Sequence, residues 1–216
     1  MDSREKFVIT IGRQTGSGGL ETAGKLAREL GIKMYDQELI TEVAKASGLS
    51  PEIFAKSDEK QSKRGLNGFF GIRLFSHVNE ALATGNILSD DELFKAQSEV
   101  IQQLAEKESC VIVGRCADYI LRNHPRMISV FITAELDFRV RRLMNEHGWN
   151  EAEARRFIIH SETKRADYYN YFTFKKWGDA ASYDLCIDCS KVGGTDAVVE
   201  HIKLLMQEAG LIDTKQ

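Results

Sequence analysis

Residues 7–31 read FVITIGRQTGSGGLETAGKLARELG, an apolar run, a glycine-rich turn and an amphipathic stretch, and that order leaves few folds open. Phe7, Val8, Ile9 and Ile11 are the aromatic and β-branched residues of a buried strand, while Ala23, Leu26, Ala27 and Leu30 recur at helical spacing. Between them lie Thr15, Gly16, Ser17, Gly18 and Gly19. A strand that enters a helix through such a turn leaves several backbone N–H groups unpaired, with the positive end of the helix dipole behind them. The result is an anion site, and phosphate is its usual occupant. Gly-rich strand-to-helix turns also serve as plain tight connections, so the other segments have to decide between the two.

The P-loop pattern G-x-x-x-x-G-K-[ST] is the standard for this turn. With Gly18 as its second glycine, the remaining fixed positions hold Arg13, Gly19 and Leu20. The lysine that reaches the β- and γ-phosphates is absent, and so is the hydroxyl at position 20 that would ligate Mg²⁺. Arg13 is the nearest side chain able to supply the missing charge.

Length and charge narrow the classes. A chain of 216 residues fits one sizeable domain. With 29 Lys and Arg against 32 Asp and Glu, the net charge of −3 gives no electrostatic case for nucleic acid or an anionic membrane as partner. MDSREKFVITIG has no signal-peptide core, and no apolar run approaches the roughly 18 residues of a membrane span, so a cytoplasmic location is expected. Cys110, Cys116, Cys186 and Cys189 make no disulfide framework. Cys186 and Cys189 match C-x-x-C, but no second pair or histidine accompanies them, and the dispersed histidines show no H-x-x-x-H spacing. Oligomeric state stays open, a homo-oligomer included.

Along the chain, strands and helices alternate. Gly31 is placed as a helix C-cap before a short strand at 32–35 that ends at Asp36. A helix with Leu39, Ile40, Val43 and Ala44 on its apolar face follows, then a looser stretch at 54–88; together 36–88 read as an acceptor-binding insertion. Ser89 to Glu92 fit a capping box for the next helix. Cys110-Val111-Ile112-Val113 is a continuous apolar run, as in a parallel strand covered on both faces, and Gly114-Arg115 close it. Residues 127–132 form a fourth strand, with Thr133 or a neighbour as the next cap. Arginine-bearing helices then lead through an aromatic tract at 168–177 to a last strand at 183–188 and a helix capped by Thr195. The fold class is α/β: three layers, α/β/α, with a parallel sheet of about five strands and helices on both faces. Residues 145–180 are assigned as a mobile lid. In such sheets ligands sit beyond the carboxyl ends of the strands, where Gly12–Gly19, Asp36, Gly114-Arg115 and Thr133 converge.

With these elements in order, the chain resembles the nucleoside monophosphate kinases of the P-loop superfamily, and most their cytidylate kinase-like branch, over nearly its whole length. Thr15-Gly16-Ser17-Gly18 resembles the glycine-rich loop, and Tyr35-Asp36 the acceptor edge after the second strand. Val113-Gly114-Arg115 resembles the Asp-Gly-Arg-Asp motif. Phe131-Ile132-Thr133-Ala134, followed by Arg139, Arg141 and Arg142, resembles the fourth strand and its helix, and Lys164-Arg165-Ala166-Asp167 the lid segment. Relative to cytidylate kinases, Gly19 replaces the loop lysine, while Val113 and Cys116 replace the two aspartates of the motif.

The resemblance implies an ATP- and Mg²⁺-dependent phosphotransferase acting on a nucleoside monophosphate, CMP or dCMP first. The departures keep a second class open, a nucleotide-binding regulatory protein that retains the kinase fold with little or no turnover. In the catalytic reading, Thr15, Gly16, Ser17, Gly18 and Gly19 hold donor phosphate, and Arg13, Arg139, Arg142 and Arg165 neutralise the transferring group; in the alternative, Arg139, Arg142 and Arg165 pair with Glu135, Glu146 or Glu162 on exposed helix faces. Arg115 grips the acceptor's α-phosphate with its planar fork. Asp36 contacts the acceptor or caps the helix it precedes. Asp118 stands in for the carboxylate that Cys116 displaces, or is a helix-dipole partner. Ser17, Thr15 and Asp36 are the oxygen ligands within reach of a metal. The aromatic tract reads as a local hydrophobic cluster before it reads as a base-stacking surface.

Overall fold

Strand β1 (Val8–Arg13) forms on the first apolar run, and in the computed structural model Val8, Ile9 and Ile11 are fully buried. The structure describes residues 6–36, 39–40 and 90–213; the expected helix beyond Ile40, the Ser89 capping box and most of the 36–88 insertion lie outside them. After β1 come α1 (Gly19–Leu30), β2 (Lys33–Tyr35), α2 (Asp90–Lys107), β3 (Cys110–Val113) and the single turn α3 (Ala117–Ile120). Then follow β4 (Met127–Thr133), α4 (Leu136–His147), α5 (Glu151–Thr173), a 3₁₀ turn (Ala180–Ser182), β5 (Leu185–Asp188) and α6 (Thr195–Glu208).

The five strands run parallel in the order β2-β3-β1-β4-β5. β1 pairs with β3 from Val8↔Cys110 to Ile11↔Val113, and with β4 from Val8↔Met127 to Arg13↔Ile132. The connection leaving β1 runs toward β2, whereas the one leaving β4 runs toward β5. The carboxyl ends of β1 and β4 therefore flank the point where strand order reverses, the place where open α/β sheets bind ligands. α1 and α6 pack on one face of the sheet, and Phe138 of α4 packs against the same core cluster.

The chain divides into two compact units, Met1–Tyr35 with Leu104–Gln216, and Asp36–Gln103. The first holds the sheet. Its core joins Ile9, Ile11, Val111, Val113, Val130 and Ile132 to Ala23 and Leu26 of α1 and to Val198, Ile202 and Met206 of α6. A smaller cluster, Val140, Leu143, Ala154 and Ile158, zips α4 to α5. Described residues of the second unit bury Ile40, Ala96, Gln97, Val100 and Ile101.

Gly31 ends α1 in the left-handed region at φ 64° and its N–H reaches Arg28 O at 3.2 Å, as its position after Leu30 predicts. The N-cap of α4 is Glu135, a neighbour of Thr133; its side chain makes no capping bond, and its N–H donates to the Ser190 hydroxyl at 3.2 Å. Gly194, not Thr195, is the N-cap of α6, because the Thr195 hydroxyl is spent on Glu21 at 2.8 Å. Asn150 opens α5 with a full capping box: its side chain accepts from Glu153 N at 3.0 Å, and Glu153 accepts from Asn150 N at 2.9 Å. Asn150→Ala is expected to remove about 1 kcal/mol, a fall in melting temperature of about 2–4 °C in a domain of this size. Thermal unfolding of the variant against wild type checks it, and an unchanged melting temperature would show that α5 does not depend on its cap.

Candidate active site

Ladder bonding continues one residue past β1, with Gln14 N donating to Ile132 O at 3.0 Å. The chain then turns away over Thr15–Gly18. Gln14 also pins the neighbouring strand end: its Oε1 accepts from Ala134 N at 3.2 Å and from the Thr133 hydroxyl. Gly16 and Gly18 take φ of 78° and 84°, and a Cβ on either would meet fixed atoms, Arg139 O at 2.9 Å and Thr195 Cγ2 at 2.6 Å. Both positions require glycine for conformation and for space. The first amide of α1 to find a helical acceptor is Thr22, on Gly18 O at 2.9 Å. The amides of Gly18, Gly19, Leu20 and Glu21 precede it, and no side chain caps them.

The Arg13 side chain crosses the mouth of this loop. A Cβ placed on Gly19 would lie 2.5 Å from Arg13 Cβ and 3.0 Å from its Cγ. Farther out, a Cβ on Gly114 would overlap Arg13 Nη1, with Cζ at 3.3 Å. The guanidinium thus rests on the main chain where β3 ends. There Gly114, Arg115 and Cys116 are three successive left-handed residues, at φ 76°, 55° and 56°. For the two that carry a Cβ this conformation costs about 1–2 kcal/mol each. It aims Arg115, whose guanidinium carbon lies 5.3 Å from the centre of the Tyr168 ring on α5.

The other arginines hold the loop from behind. Arg139, 7% exposed, donates to Ala134 O at 2.9 Å, to Thr15 O at 3.4 Å and to Glu162 at 2.5 Å. The same Glu162 oxygen accepts from Thr15 N at 3.2 Å. Arg165 donates to the Thr15 hydroxyl at 2.9 Å and to Arg13 O at 3.4 Å, and burial lowers its pKa from the ordinary arginine value. Arg142 bonds Glu21 at 2.5 Å and Glu146 at 2.8 Å beside Gly18. Glu21 also takes Lys25 at 2.9 Å and the Thr195 hydroxyl. Arg142 above all, then Lys25, pull the Glu21 carboxyl down to about 2.

Both aspartates singled out from the sequence have protein partners. Asp118 accepts from the Tyr169 hydroxyl at 2.7 Å, and burial raises its pKa. Asp36 caps the turn after β2, accepting from Leu39 N at 3.0 Å. Ser17 is fully buried and donates to Gln14 O at 2.9 Å. Among the described residues, no group of three or more His, Cys, Asp or Glu is gathered closely enough to hold a metal ion. The aromatic tract packs on itself and on the sheet edge: Tyr168 against Phe172 at 4.7 Å, Trp177 and Tyr183 against Phe131 at 5.3 and 5.0 Å. No helix among the described residues is long and apolar enough to cross a membrane.

A model of the cytidylate kinase-like family matches residues 8–191. The chain belongs to the cytidylate kinase-like family. Curated relatives named cytidylate kinase include that of Methanopyrus kandleri, 26% identical with 85% of each chain covered. Another, from Pyrococcus horikoshii, is 26% identical over 87% of this chain and 82% of its own. Among solved structures, an uncharacterized protein from Eubacterium ventriosum is 31% identical, with a TM-score of 0.70 over 94% of this chain and 99% of that one. A shikimate kinase from Bacteroides thetaiotaomicron, 15% identical with a TM-score of 0.51 over 93% and 98% of the two chains, shares the fold.

Within this cytidylate kinase-like chain, Val113 is a fully buried strand residue, and the buried Cys116 thiol is pushed up to about 12 by burial, so neither replaces the missing carboxylates. Gln14, Glu21 and Glu162 are absent from the sequence-derived set of site residues, although each bonds the loop or its flanks. For Gln14 and Glu21 the only sequence signal is a polar or acidic residue within or just after a glycine-rich turn, and Glu162, in the middle of α5, has none beyond its charge. Glu21 supplies a pH test. Its folded pKa lies below the ordinary 4.5, so ionised Glu21 adds stability above about pH 4.5 that is lost as pH falls toward about 2. The gap in melting temperature between wild type and Glu21→Gln is expected to be full at neutral pH and to narrow from pH 4.5 downward. A gap that is constant over that range would mean that the charge of Glu21 does not stabilise the fold.

Proposed function

We propose that this protein transfers the γ-phosphoryl group of ATP to a nucleoside monophosphate, with CMP or dCMP as the acceptor. The observation that carries this reading is the adjacency of two anion-gripping elements on neighbouring strands: the Thr15–Gly19 loop after β1 and Arg115 after β3, with Arg13 lying from one to the other. Membership of the family and the curated relatives named cytidylate kinase support the acceptor class.

Phosphoryl transfer asks the protein for in-line placement and for charge neutralisation more than for covalent chemistry. The amides of Gly16, Gly18 and Gly19 take the donor β-phosphate, the Ser17 amide being bonded to Gln14 O, and Arg13 faces the γ-phosphate. Arg115 takes the acceptor's α-phosphate, its direction set by the left-handed turn and by Tyr168. Arg139 acts through Thr15, and Arg165 reaches Thr15 from α5, the helix that serves as lid over residues 145–180. The acceptor base is assigned to the 36–88 insertion, with Asp36 at its root. Asp118 is spent on Tyr169 and holds α5 against the Arg115 turn, while Arg142 sets the Gly18 flank.

Mg²⁺ accompanies ATP in this chemistry, but the described side chains do not form its site: Ser17 and Thr15 bond within the loop or to Arg165, and Asp36 is a cap. A metal that keeps several waters on the nucleotide's own phosphates needs few protein ligands.

An ADP-release assay with ATP against a panel of nucleoside monophosphates tests the reading. Turnover with CMP or dCMP above the other acceptors is expected. Arg115→Ala should lower kcat/KM for the acceptor by about 10²-fold or more, the size of a lost charge-assisted contact in the transition state, and leave ATP binding in place. Binding of ATP and a monophosphate with no transfer to any acceptor would replace the kinase with a nucleotide-binding regulatory protein.

A further inference from the structure

We infer that the glycine and the cation of the phosphate loop have exchanged places in this chain. Arg13, at the end of β1, supplies the donor-phosphate charge that the P-loop pattern draws from a lysine at the start of the helix. The inference rests on the phosphotransferase reading and goes further, because it says why the lysine is missing and what replaces it.

In the pattern G-x-x-x-x-G-K-[ST], position 13 is the first glycine and position 19 is the lysine. Here the two residue types stand the other way round. The geometry makes the exchange reciprocal. The Cβ positions of residues 13 and 19 would be 2.5 Å apart, well inside the roughly 3.5–4.0 Å at which carbons rest in contact. Neither backbone is free to move away. Arg13 is registered against Ile132 in the β1–β4 ladder, and Gly19 lies in the first turn of α1, which the Thr22 N to Gly18 O bond closes at 2.9 Å. Only one of the two positions can carry a side chain. A lysine at 19 demands glycine at 13; an arginine at 13 demands glycine at 19.

Arg13 also has a path prepared for it. Its stem lies over Gly19 and its guanidinium over Gly114, where a Cβ would collide with Nη1. The side chain thus runs from the first turn of α1 to the residue before Arg115, where, in the phosphotransferase reading, negative charge on a transferring phosphoryl group has to be met. A planar guanidinium can donate to two phosphate oxygens at once, which a lysine ammonium does only as a point charge.

Four full-length variants test the exchange by two independent readouts, thermal unfolding and calorimetric binding of MgATP. Gly19→Ala is expected to lower the melting temperature by about 2–10 °C, the range for one forced overpacking in a domain of this size, and Arg13→Gly added to it should recover most of that loss. Arg13→Gln, which keeps the Cβ and removes the charge, should weaken MgATP by about 10- to 100-fold. Arg13→Gly combined with Gly19→Lys should then bind MgATP at least about tenfold more tightly than Arg13→Gln. A Gly19→Ala protein as stable as wild type would overturn the steric exclusion. Arg13→Gln binding MgATP within about twofold of wild type would overturn the assignment of the cation while leaving the phosphotransferase reading intact. Wild type that binds no MgATP at all would overturn that reading and the role of Arg13 with it.

Discussion

Strand β1 has no free edge, and most of what the carboxyl side of the sheet can do depends on that. It is hydrogen-bonded to β3 on one side and β4 on the other, and Gln14 carries the β4 pairing one residue beyond the strand. The turn that follows therefore leaves the sheet at a fixed point and in a fixed direction. The turn lies between the ends of the two neighbouring strands, where Arg115 follows one and Gln14's partners Thr133 and Ala134 follow the other. A loop on an edge strand would have one such neighbour.

The arginines around the loop fall into two groups by where they stand. Arg139 and Glu162 form a pair that is largely out of water, with Glu162 also accepting from Thr15 N. Removing one partner of such a pair typically costs about 3–5 kcal/mol, since the other is left charged and unmatched. Arg139 is thus part of the loop's frame. Arg142 is similar in kind but wetter, shared between Glu21 and Glu146. Arg13 and Arg115 differ: their heads lie at the ends of adjacent strands, one over Gly114 and one by Tyr168. α5 meets both groups, through Glu162 and Arg165 at the loop and through Tyr168 and Tyr169 at the Arg115 turn.

Much of the frame was written locally. The strand-turn-helix of residues 7–31, the apolar run at 110–113, Gly31 as a C-cap and the opening of α5 at Asn150 each follow from residues a few positions apart, because strand burial, left-handed caps and capping boxes are short-range matters. The alternation of strands and helices made a parallel α/β sheet the expected class, and the family motifs in their order set the family.

The roles of the charged residues were not legible in that way. Position 19 reads as a lost lysine until the fold shows that its Cβ and that of residue 13 would claim the same space. Arg139 reads either as a phosphate-facing cation or as half of an exposed helix-face pair until α4 and α5 pack and bury it with Glu162, 23 residues away, against Thr15. Asp118 finds Tyr169 across 51 residues, and Thr195 finds Glu21 across 174. Sequence alone determined the alternation of strands and helices among the described residues and where the glycine-rich loop stands. Which arginines brace that loop was decided only by tertiary packing, because a side chain's partner is set by distance in space and not by distance along the chain.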